Sequence, residues 1–455
     1  MPSFFSLTAV SALVAVGLAN PVAYGPPQGP PQGPPGWNSP QPWGPPGQYT
    51  SAPSKPTTTS SVPSKPSTTS SGSAVPTSSG SGGSASSSAT SKPSTTSSGP
   101  AGPSSSCQGY FEPLAPPYLN DLAVAAGKLW FGSATDQPGT GEDTNILYQT
   151  ILNDTHIFGQ ITPANAMKFV STEPEQNVFN YTGGDIDVAI AKDHGKYLRC
   201  HNLVWQNGQL SDFVINGNWS ADELSAIMKN HIDNVVGHFG SNCYSWDVVN
   251  EALNDVNGSF APSVWYDTLG PEYFFLAFQY AQEAVAALPA GPKPKLYYND
   301  YNIESPGTKA TAAENLIKEL QARNIQIDGV GLESHFIVGN TPSRANMTAQ
   351  KQAFVALGLE VAITELDVRH VQVNATNSTS FAIQAQNYYD SVASCVEVDE
   401  CIGITVWDFD DQYSWIPGTF PGQGLADLYN ADFTRKPAYY SVGEALEGVP
   451  CTVCA

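Results

Sequence analysis

The chain has 455 residues and a formal net charge of −22. Its first 106 residues contain three lysines and no acidic residue, so residues 107–455 carry a net charge of −25. This surplus of negative charge disfavours nucleic acids and anionic membrane surfaces as partners, because both are polyanions. We therefore expect a neutral partner, with no contact to nucleic acid or to a membrane.

Residues 1–19 are typical of a secretory signal peptide. Their apolar core, LTAVSALVAVGLA, is too short to span a membrane and ends in small residues. Residues 20–106 consist mainly of Pro, Gly, Ser and Thr, including the repeat GPPQGPPQGPPG, and cannot bury a core. We predict a secreted, extracellular protein in which 20–106 form a disordered linker or stalk before a domain at 107–455.

Eight short β-branched or apolar runs in the domain predict β-strands. Helical patterns lie between them, and one of these begins with the capping-box pair Ser220 and Glu223. Eight strands alternating with helices are typical of the (β/α)8 or TIM barrel of the α/β class. The predicted strands are 129–134, 157–162, 197–205, 244–250, 295–300, 328–334, 360–366 and 403–409.

Polar or aromatic side chains occur at the end of one predicted strand after another. Asn250 and Glu251 end the fourth strand, and Glu365 ends the seventh. One such residue alone is more often a packing or capping residue. Active sites in this fold lie at the C-terminal strand ends, so their convergence predicts a single cleft. The other residues at strand ends are Asn165, Lys168, His201, Trp205, Asn299, Asp300, Glu333, His335, Asp367 and Trp407.

Two glutamates in the mouth of a barrel favour one class of reaction. The sequence has no Cys/His cluster at metal-ligand spacing, no Gly-rich phosphate loop and no G-x-S-x-G motif. We therefore expect no metal and no cofactor. Retaining glycosidases use two carboxyl groups about 5–5.5 Å apart, one as general acid/base and one as nucleophile. We predict this arrangement for Glu251 and Glu365.

The cysteines agree with export into an oxidising compartment. Cys395 and Cys401 are six residues apart, which is compatible with a small disulfide loop. Cys200 and Cys243 each lie near a strand end, and a disulfide between them would join neighbouring strands.

Three further cysteines, Cys107, Cys451 and Cys454, form an odd set. The terminal CTVC resembles a redox motif but lacks the βαβ context of one, and we expect a disulfide from this terminus to Cys107 instead. Sequons for N-glycosylation also suit a secreted surface. They lie at Asn153, Asn180, Asn218, Asn257, Asn346, Asn374 and Asn377.

Several stretches together resemble glycoside hydrolase family 10, the retaining endo-β-1,4-xylanases. They are ITPANAMKF, CHNLVW, WDVVNEAL, YYNDYNIE, GVGLESHF and ITELDV, and they occur in the order of that family between about Tyr118 and Tyr440. The resemblance implies a TIM barrel that hydrolyses internal β-1,4-xylosidic bonds of xylan with retention of configuration.

The resemblance also implies a role for each matched residue. Glu251 corresponds to the general acid/base and Glu365 to the nucleophile. Asn250 corresponds to the amide that binds the sugar 2-hydroxyl, His335 to the residue that orients the nucleophile, and Asp367 to the support behind that histidine. The candidate substrate-binding residues are Asn165, Lys168, His201, Trp205, Gln209, Asn299, Trp407 and Trp415.

The chain departs from the family pattern at several positions near the sugar-binding subsites. Gln206 replaces a histidine, the segment QNGQLSDF has one inserted residue, and Phe213 stands where tryptophan is common. Ala164 occupies a position often held by Glu, and Glu333 one where Gln is expected.

These departures leave the substrate open. A xylan-like cell-wall polysaccharide acted on by a monomer is our expectation. The alternatives are a family member specialised for a glycoalkaloid such as tomatine or for cello-oligosaccharides, and a sugar-binding barrel without turnover. A structural cell-wall protein would account for residues 20–106 but leave the barrel mouth unexplained.

Overall fold

Eight parallel strands form a closed barrel in the computed structural model, which describes residues 112–206 and 209–455. The strands are β1 (Trp130–Thr135), β2 (Gln160–Pro163), β3 (Tyr197–Cys200), β4 (Ser245–Asn250), β5 (Lys295–Asp300), β6 (Gly329–Leu332), β7 (Glu360–Arg369) and β8 (Cys401–Val406). Each pairs with the next along the chain, and β8 pairs with β1 to close the ring. The predicted (β/α)8 barrel is confirmed, whereas the predicted signal peptide and linker lie outside the described residues.

The predicted strand 197–205 is wrong in one respect, because the chain pairs in two separate segments there. After β3 ends, a short strand at Val204–Trp205 pairs with β4 again. Cys200 pairs with Trp246 and Val204 with Val249, so four steps along this segment accompany three steps along β4 and one extra residue interrupts the ladder. An extra residue of this kind bends a strand and redirects its side chains, as β-bulges commonly do beside active sites.

Strand β7 is longer than predicted and extends the sheet beyond the barrel mouth. Its last residues pair with a short strand at His335–Ile337, which places His335 opposite Asp367. The register between β4 and β5 likewise places Asn250 opposite Asn299. Two pairs of predicted site residues are therefore adjacent through backbone pairing alone.

Thirteen α-helices surround or connect the strands in the described residues. All residues of β1 and β4 are buried, as expected where helices cover the outside of a barrel and side chains fill it. The helices are α1 (Leu119–Ala125), α2 (Ile146–Asn153), α3 (Phe169–Thr172), α4 (Thr182–His194), α5 (Asp212–Asn216), α6 (Ala221–Phe239), α7 (Val264–Leu269), α8 (Glu272–Ala287), α9 (Thr308–Ala322), α10 (Arg344–Val355), α11 (Ser378–Val396), α12 (Ile416–Thr419) and α13 (Pro437–Glu447). Short 3₁₀ helices lie at Glu112–Leu114, Gly240–Asn242 and Val373–Ala375.

Helix α6 shows how the sequence fixes these elements. The predicted capping box is present, since the Ser220 side chain accepts from the Glu223 backbone and the Glu223 carboxylate accepts from the Ser220 backbone. Leu224, Met228 and Ile232 recur every four residues and are fully buried, so this face packs on the barrel. Within the described part of the chain, none of the helices has the length and apolar character needed to cross a membrane.

Two predicted disulfides are confirmed and one is wrong. Cys200 bonds to Cys243 and Cys395 bonds to Cys401. Cys451 bonds to Cys454 instead of to Cys107, which lies outside the described residues. The chain turns after α13 and brings the Cα atoms of Cys451 and Cys454 to 5.6 Å, a normal disulfide distance, so each sulfur has a partner nearby.

Candidate active site

Glu365 lies inside β7 and is 5% exposed at the barrel mouth. The Asn299 side-chain amide donates to its Oε1 at 2.8 Å, and His335 Nε2 lies 3.3 Å from its Oε2. Arg199 and His201 each place a nitrogen 3.9 Å from Oε1. Burial alone would raise the pKa of Glu365, but His201, His335 and Arg199 outweigh it and lower that pKa to about 2. Glu365 is thus held as a carboxylate.

A histidine, an aspartate and a tryptophan support Glu365 from one side. His335 Nδ1 lies 2.7 Å from Asp367 Oδ2, and the Trp415 indole donates to the same oxygen at 2.9 Å. Burial opposes the charged imidazolium, but the charges and hydrogen bonds of Asp367 and Glu365 raise the pKa of His335 to about 10. His335 is therefore a cation that presents its Nε2 proton to Glu365.

Glu251 follows β4 directly, and its surroundings favour the protonated acid instead of the carboxylate. Burial, then the charges of Asp300 and Glu365, raise its pKa to about 7, although the Trp205 side chain favours the ionised form. The Asn250 amide donates to Glu251 Oε1 at 3.4 Å. The backbone φ of Glu251 is 53°, a left-handed conformation that costs on the order of 1–3 kcal/mol for a residue with a side chain. This turn ends the strand and takes the carboxyl out of the ladder.

The Asn299 side chain joins Glu365 to Asn250 and Glu333. It is fully buried, and its amide nitrogen lies within hydrogen-bond distance of oxygens of Asn250, Glu333 and Glu365, at 2.7, 3.0 and 2.8 Å. The Thr364 hydroxyl donates to its oxygen at 2.7 Å. Its hydrogen bonds therefore fix the Glu365 carboxylate, and its predicted contact with substrate stays a prediction.

One side of the mouth combines a lysine, an amide and aromatic rings. Lys168 donates to Asn165 Oδ1 at 3.0 Å, and its ammonium lies 4.7 Å from the centre of the Trp205 ring. The Asn165 amide donates in turn to Asp136 at 2.7 Å. His201 meets the edge of Trp407 with ring centres 5.2 Å apart. Polar donors beside flat indole faces form a surface that suits a neutral sugar.

Gln209 and the inserted residue are only partly described. The Gln209 backbone accepts from Val170, and its buried Oε1 has no hydrogen-bond partner among the described residues. Asn207 and Gly208 lie outside the described residues. Phe213, one of the departures from the family pattern, packs against Phe169 with ring centres 6.1 Å apart.

Sequence reasoning missed three charged residues of the site. Arg199 is buried within β3, forms an ion pair with Asp247 and faces Glu365, while Asp247 also binds His201 at 2.8 Å. Asp136 follows β1 and holds Asn165. A charged residue inside an apolar strand run was a usable signal for Arg199, because buried charges need partners. Asp136 had no such signal.

Donor atoms that would suit a metal ion also occur here. One side-chain atom each of Glu333, His335 and Glu365 lies within 4.8 Å of the others, the only such group of three in the part of the chain that the structure describes. The hydrogen bonds of these residues to Asn299 and Asp367 account for their arrangement.

Comparisons with known proteins agree with this geometry. The model of glycosyl hydrolase family 10 matches residues 118–445. Endo-1,4-beta-xylanase D of Talaromyces funiculosus is 47% identical over 337 residues, covering 73% of this chain and 79% of that protein.

Solved structures give the same result. The Penicillium canescens endo-1,4-beta-xylanase XylE is 57% identical with a TM-score of 0.72, covering 74% of this chain and 99% of that one. A family 10 xylanase from Bispora sp. MEY-1, solved with xylobiose, is 53% identical with a TM-score of 0.69, covering 72% of this chain and 99% of that one. From the barrel, the paired glutamates and these matches, the chain belongs to glycosyl hydrolase family 10.

Proposed function

We propose that the protein is a secreted endo-1,4-β-xylanase that cleaves internal xylosidic bonds with retention of configuration. The observation that carries this proposal is that the pKa values of the two carboxyl groups are shifted in opposite directions, to about 7 for Glu251 and to about 2 for Glu365. One group keeps a proton to donate at mildly acidic pH, and the other keeps a lone pair with which to attack.

In the first step a Glu365 oxygen attacks the anomeric carbon while Glu251 gives its proton to the leaving glycosidic oxygen. The carbon–oxygen bond to the aglycone breaks and an ester bond to Glu365 forms. His335 and Asn299 hold the attacking carboxylate in a fixed orientation through their hydrogen bonds. Asn250 donates to Glu251 and accepts from Asn299, and its amide would bind the 2-hydroxyl of the sugar.

In the second step Glu251 acts as a base. Once Glu365 has formed its ester it has no charge, so one of the effects that raised the pKa of Glu251 is removed. Glu251 then accepts a proton from the water that attacks the anomeric carbon. The ester bond breaks, Glu365 leaves as a carboxylate, and two inversions at the same carbon give net retention.

Xylan is the substrate that the relatives favour. Eight curated relatives between 41% and 47% identical are named endo-1,4-beta-xylanases, and one solved relative from Cellvibrio japonicus holds xylopentaose. Xylan backbones are neutral, which suits a strongly acidic protein. The residues that we propose to contact the chain of sugars are Asn165, Lys168, His201, Trp205, Gln209, Trp407 and Trp415.

Substitution of the two glutamates tests the assignment of roles. Glu365→Ala should abolish hydrolysis of every substrate, because all of them need the nucleophile. Glu251→Ala should still release an activated aryl group from an aryl xylobioside, because a good leaving group needs no proton. Azide should restore turnover to Glu251→Ala by attacking the ester without a base. Equal responses of both variants to leaving group and azide would overturn the roles.

A product profile tests the substrate. Xylan and xylohexaose should be cut internally, giving mixtures of short oligosaccharides from the first minutes. Higher kcat/KM on tomatine or cello-oligosaccharides than on xylohexaose would favour a specialised glycosidase instead. Nuclear magnetic resonance of the first product should show the β-anomer, and an initial α-anomer would exclude retention.

A further inference from the structure

Glu333 is a third carboxyl group in the site, and the mechanism above does not use it. It follows β6 and is fully buried. Its Oε1 accepts from the Asn299 amide at 3.0 Å, and the same nitrogen lies 2.8 Å from Glu365 Oε1. Its Oε2 lies 3.8 Å from His335 Nε2 and has no hydrogen-bond partner among the residues that the structure describes. Glu333 and Glu365 therefore compete for the same amide and the same imidazole.

Two adjacent carboxylates that share partners cannot both be ionised without a large energetic penalty. Glu365 lies next to Arg199 as well as His335, so it is the one that ionises. Burial, then the charges of Glu365, Glu251 and Asp300, raise the pKa of Glu333 well above its usual value, and Lys309 only partly opposes them.

The other charged or titratable groups around Glu333 do not reverse this balance. His335 is the cation nearest to it, but this imidazole lies closer to Glu365, at 3.3 Å against 3.8 Å. Lys168 donates to Asn165, and Glu333 has the weakest effect on it of its four acidic neighbours. The Tyr298 hydroxyl on β5 donates a hydrogen bond to Asp300. These surroundings therefore stabilise the neutral acid form of Glu333.

We propose that Glu333 is a positioning residue that stays protonated during turnover and thereby leaves the Asn299 amide and the His335 proton to Glu365. The proposal rests on Glu365 being the nucleophile. An ionised Glu333 would attract both donors and add a negative charge beside the attacking carboxylate. Its loss of a proton therefore sets an alkaline limit on catalysis that is separate from the titration of Glu251.

Glutamine at this position, which the family pattern led us to expect, provides a matched control. Glu333→Gln keeps the shape of the side chain and the acceptor toward Asn299, but it has no proton to lose. Below the alkaline limit the variant should retain kcat/KM within about threefold of the wild type. Above that limit the wild type should lose about tenfold per pH unit in addition to the loss from Glu251, since each unit reduces the neutral fraction of Glu333 tenfold. The variant should show only the loss from Glu251.

The pH profile of kcat/KM on an activated aryl xylobioside is the experiment. Glu251→Gln and Glu251→Gln/Glu333→Gln are compared, so that neither the titration of Glu251 nor its proton donation contributes. A fall that begins at lower pH in the Glu251→Gln protein than in the double variant, in which only the loss of the His335 proton near pH 10 remains, supports the proposal. Identical profiles, or a constant loss at every pH in the double variant, overturn it.

An infrared measurement tests the same proton without relying on turnover. The wild-type spectrum at about pH 7 should contain a protonated-carboxyl C=O band that Glu333→Gln lacks. Absence of this difference band would contradict a neutral Glu333. Failure of the proposed function is separable, because activity retained by Glu365→Gln on the aryl xylobioside would remove Glu365 as nucleophile whatever Glu333 does.

Discussion

Glu251 and Glu365 have the same functional group but opposite proton affinities, and their immediate contacts explain the difference. Glu365 is surrounded by Arg199, His201 and His335, whereas Glu251 has burial and two acidic neighbours acting against its charge. Geometry alone would allow either carboxyl to act as acid or as nucleophile. The distribution of charged groups around them supports the roles that we propose.

His335 should determine the acid limb of the pH profile. We expect His335→Gln to raise the pKa of Glu365, because the substitution removes a hydrogen bond and a positive charge from that carboxylate. The acid limb of kcat/KM should then move up by on the order of one pH unit. Steady-state kinetics on an aryl xylobioside between about pH 2 and pH 6 measures this shift.

Asp367→Asn is the control for this experiment. It removes the main charge that raises the pKa of His335 to about 10, yet His335 remains protonated in acid. The acid limb should therefore stay in place while activity falls earlier on the alkaline side. An unchanged acid limb in His335→Gln would show that this histidine does not stabilise the Glu365 carboxylate.

At the scale of elements, strand patterns predicted the barrel and most of the site. Alternating strands and helices were sufficient to place Asn250, Glu251 and Glu365 at one mouth, because parallel strands in a barrel end on the same side. The sequence did not reveal the extra residue after β3, which depends on register with β4. Register and long-range ion pairs arise from tertiary packing, so the contacts of Arg199 with Asp247 and Glu365 were not predicted.

The disulfide between Cys200 and Cys243 joins the end of β3 to the segment before β4 and closes a loop that contains α5 and α6. Chain entropy predicts that it stabilises the fold by about 4 kcal/mol for a separation of 43 residues. The Cys395–Cys401 bond spans only 6 residues and should contribute about 2 kcal/mol. All four cysteines are buried, so the two bonds form a matched comparison.

Urea denaturation of the two paired Cys→Ser variants measures these contributions. The variant without Cys200 and Cys243 should lose more unfolding free energy than the variant without Cys395 and Cys401. Equal losses in both would mean that local packing, and not the length of the closed loop, determines the effect.

For the molecule as a whole, buried carboxyl groups should make the fold most stable in mild acid. Such groups are ionised in the unfolded chain above about pH 4 but keep their protons in the folded state. The folded state thus binds more protons, and its stability falls as the pH rises from about 4 toward 7. Burial is the main effect that raises the pKa of Glu142 and of Asp410 to about 7 and the pKa of Asp300 to about 6.

Three histidines act in the opposite direction, but they are fewer than the buried acids with raised pKa values, which also include Glu251, Glu333, Asp408 and Asp427. Burial lowers the pKa values of His201, His231 and His370, so their contribution rises with pH in the same window. The urea midpoint should nevertheless be higher at about pH 5 than at about pH 7.5. A midpoint that increases across this range would contradict the dominance of buried acids.

Trapping of the covalent intermediate tests the central claim most directly. A 2-fluoro-β-xylobioside with a good leaving group should form its ester quickly and lose it slowly, because fluorine destabilises the positively charged transition state of both steps while the leaving group accelerates the first. Mass spectrometry of the digested protein should locate the xylobiosyl adduct on Glu365, with none in Glu365→Gln. An adduct on another residue, or no adduct in an active enzyme, would contradict a double displacement through Glu365.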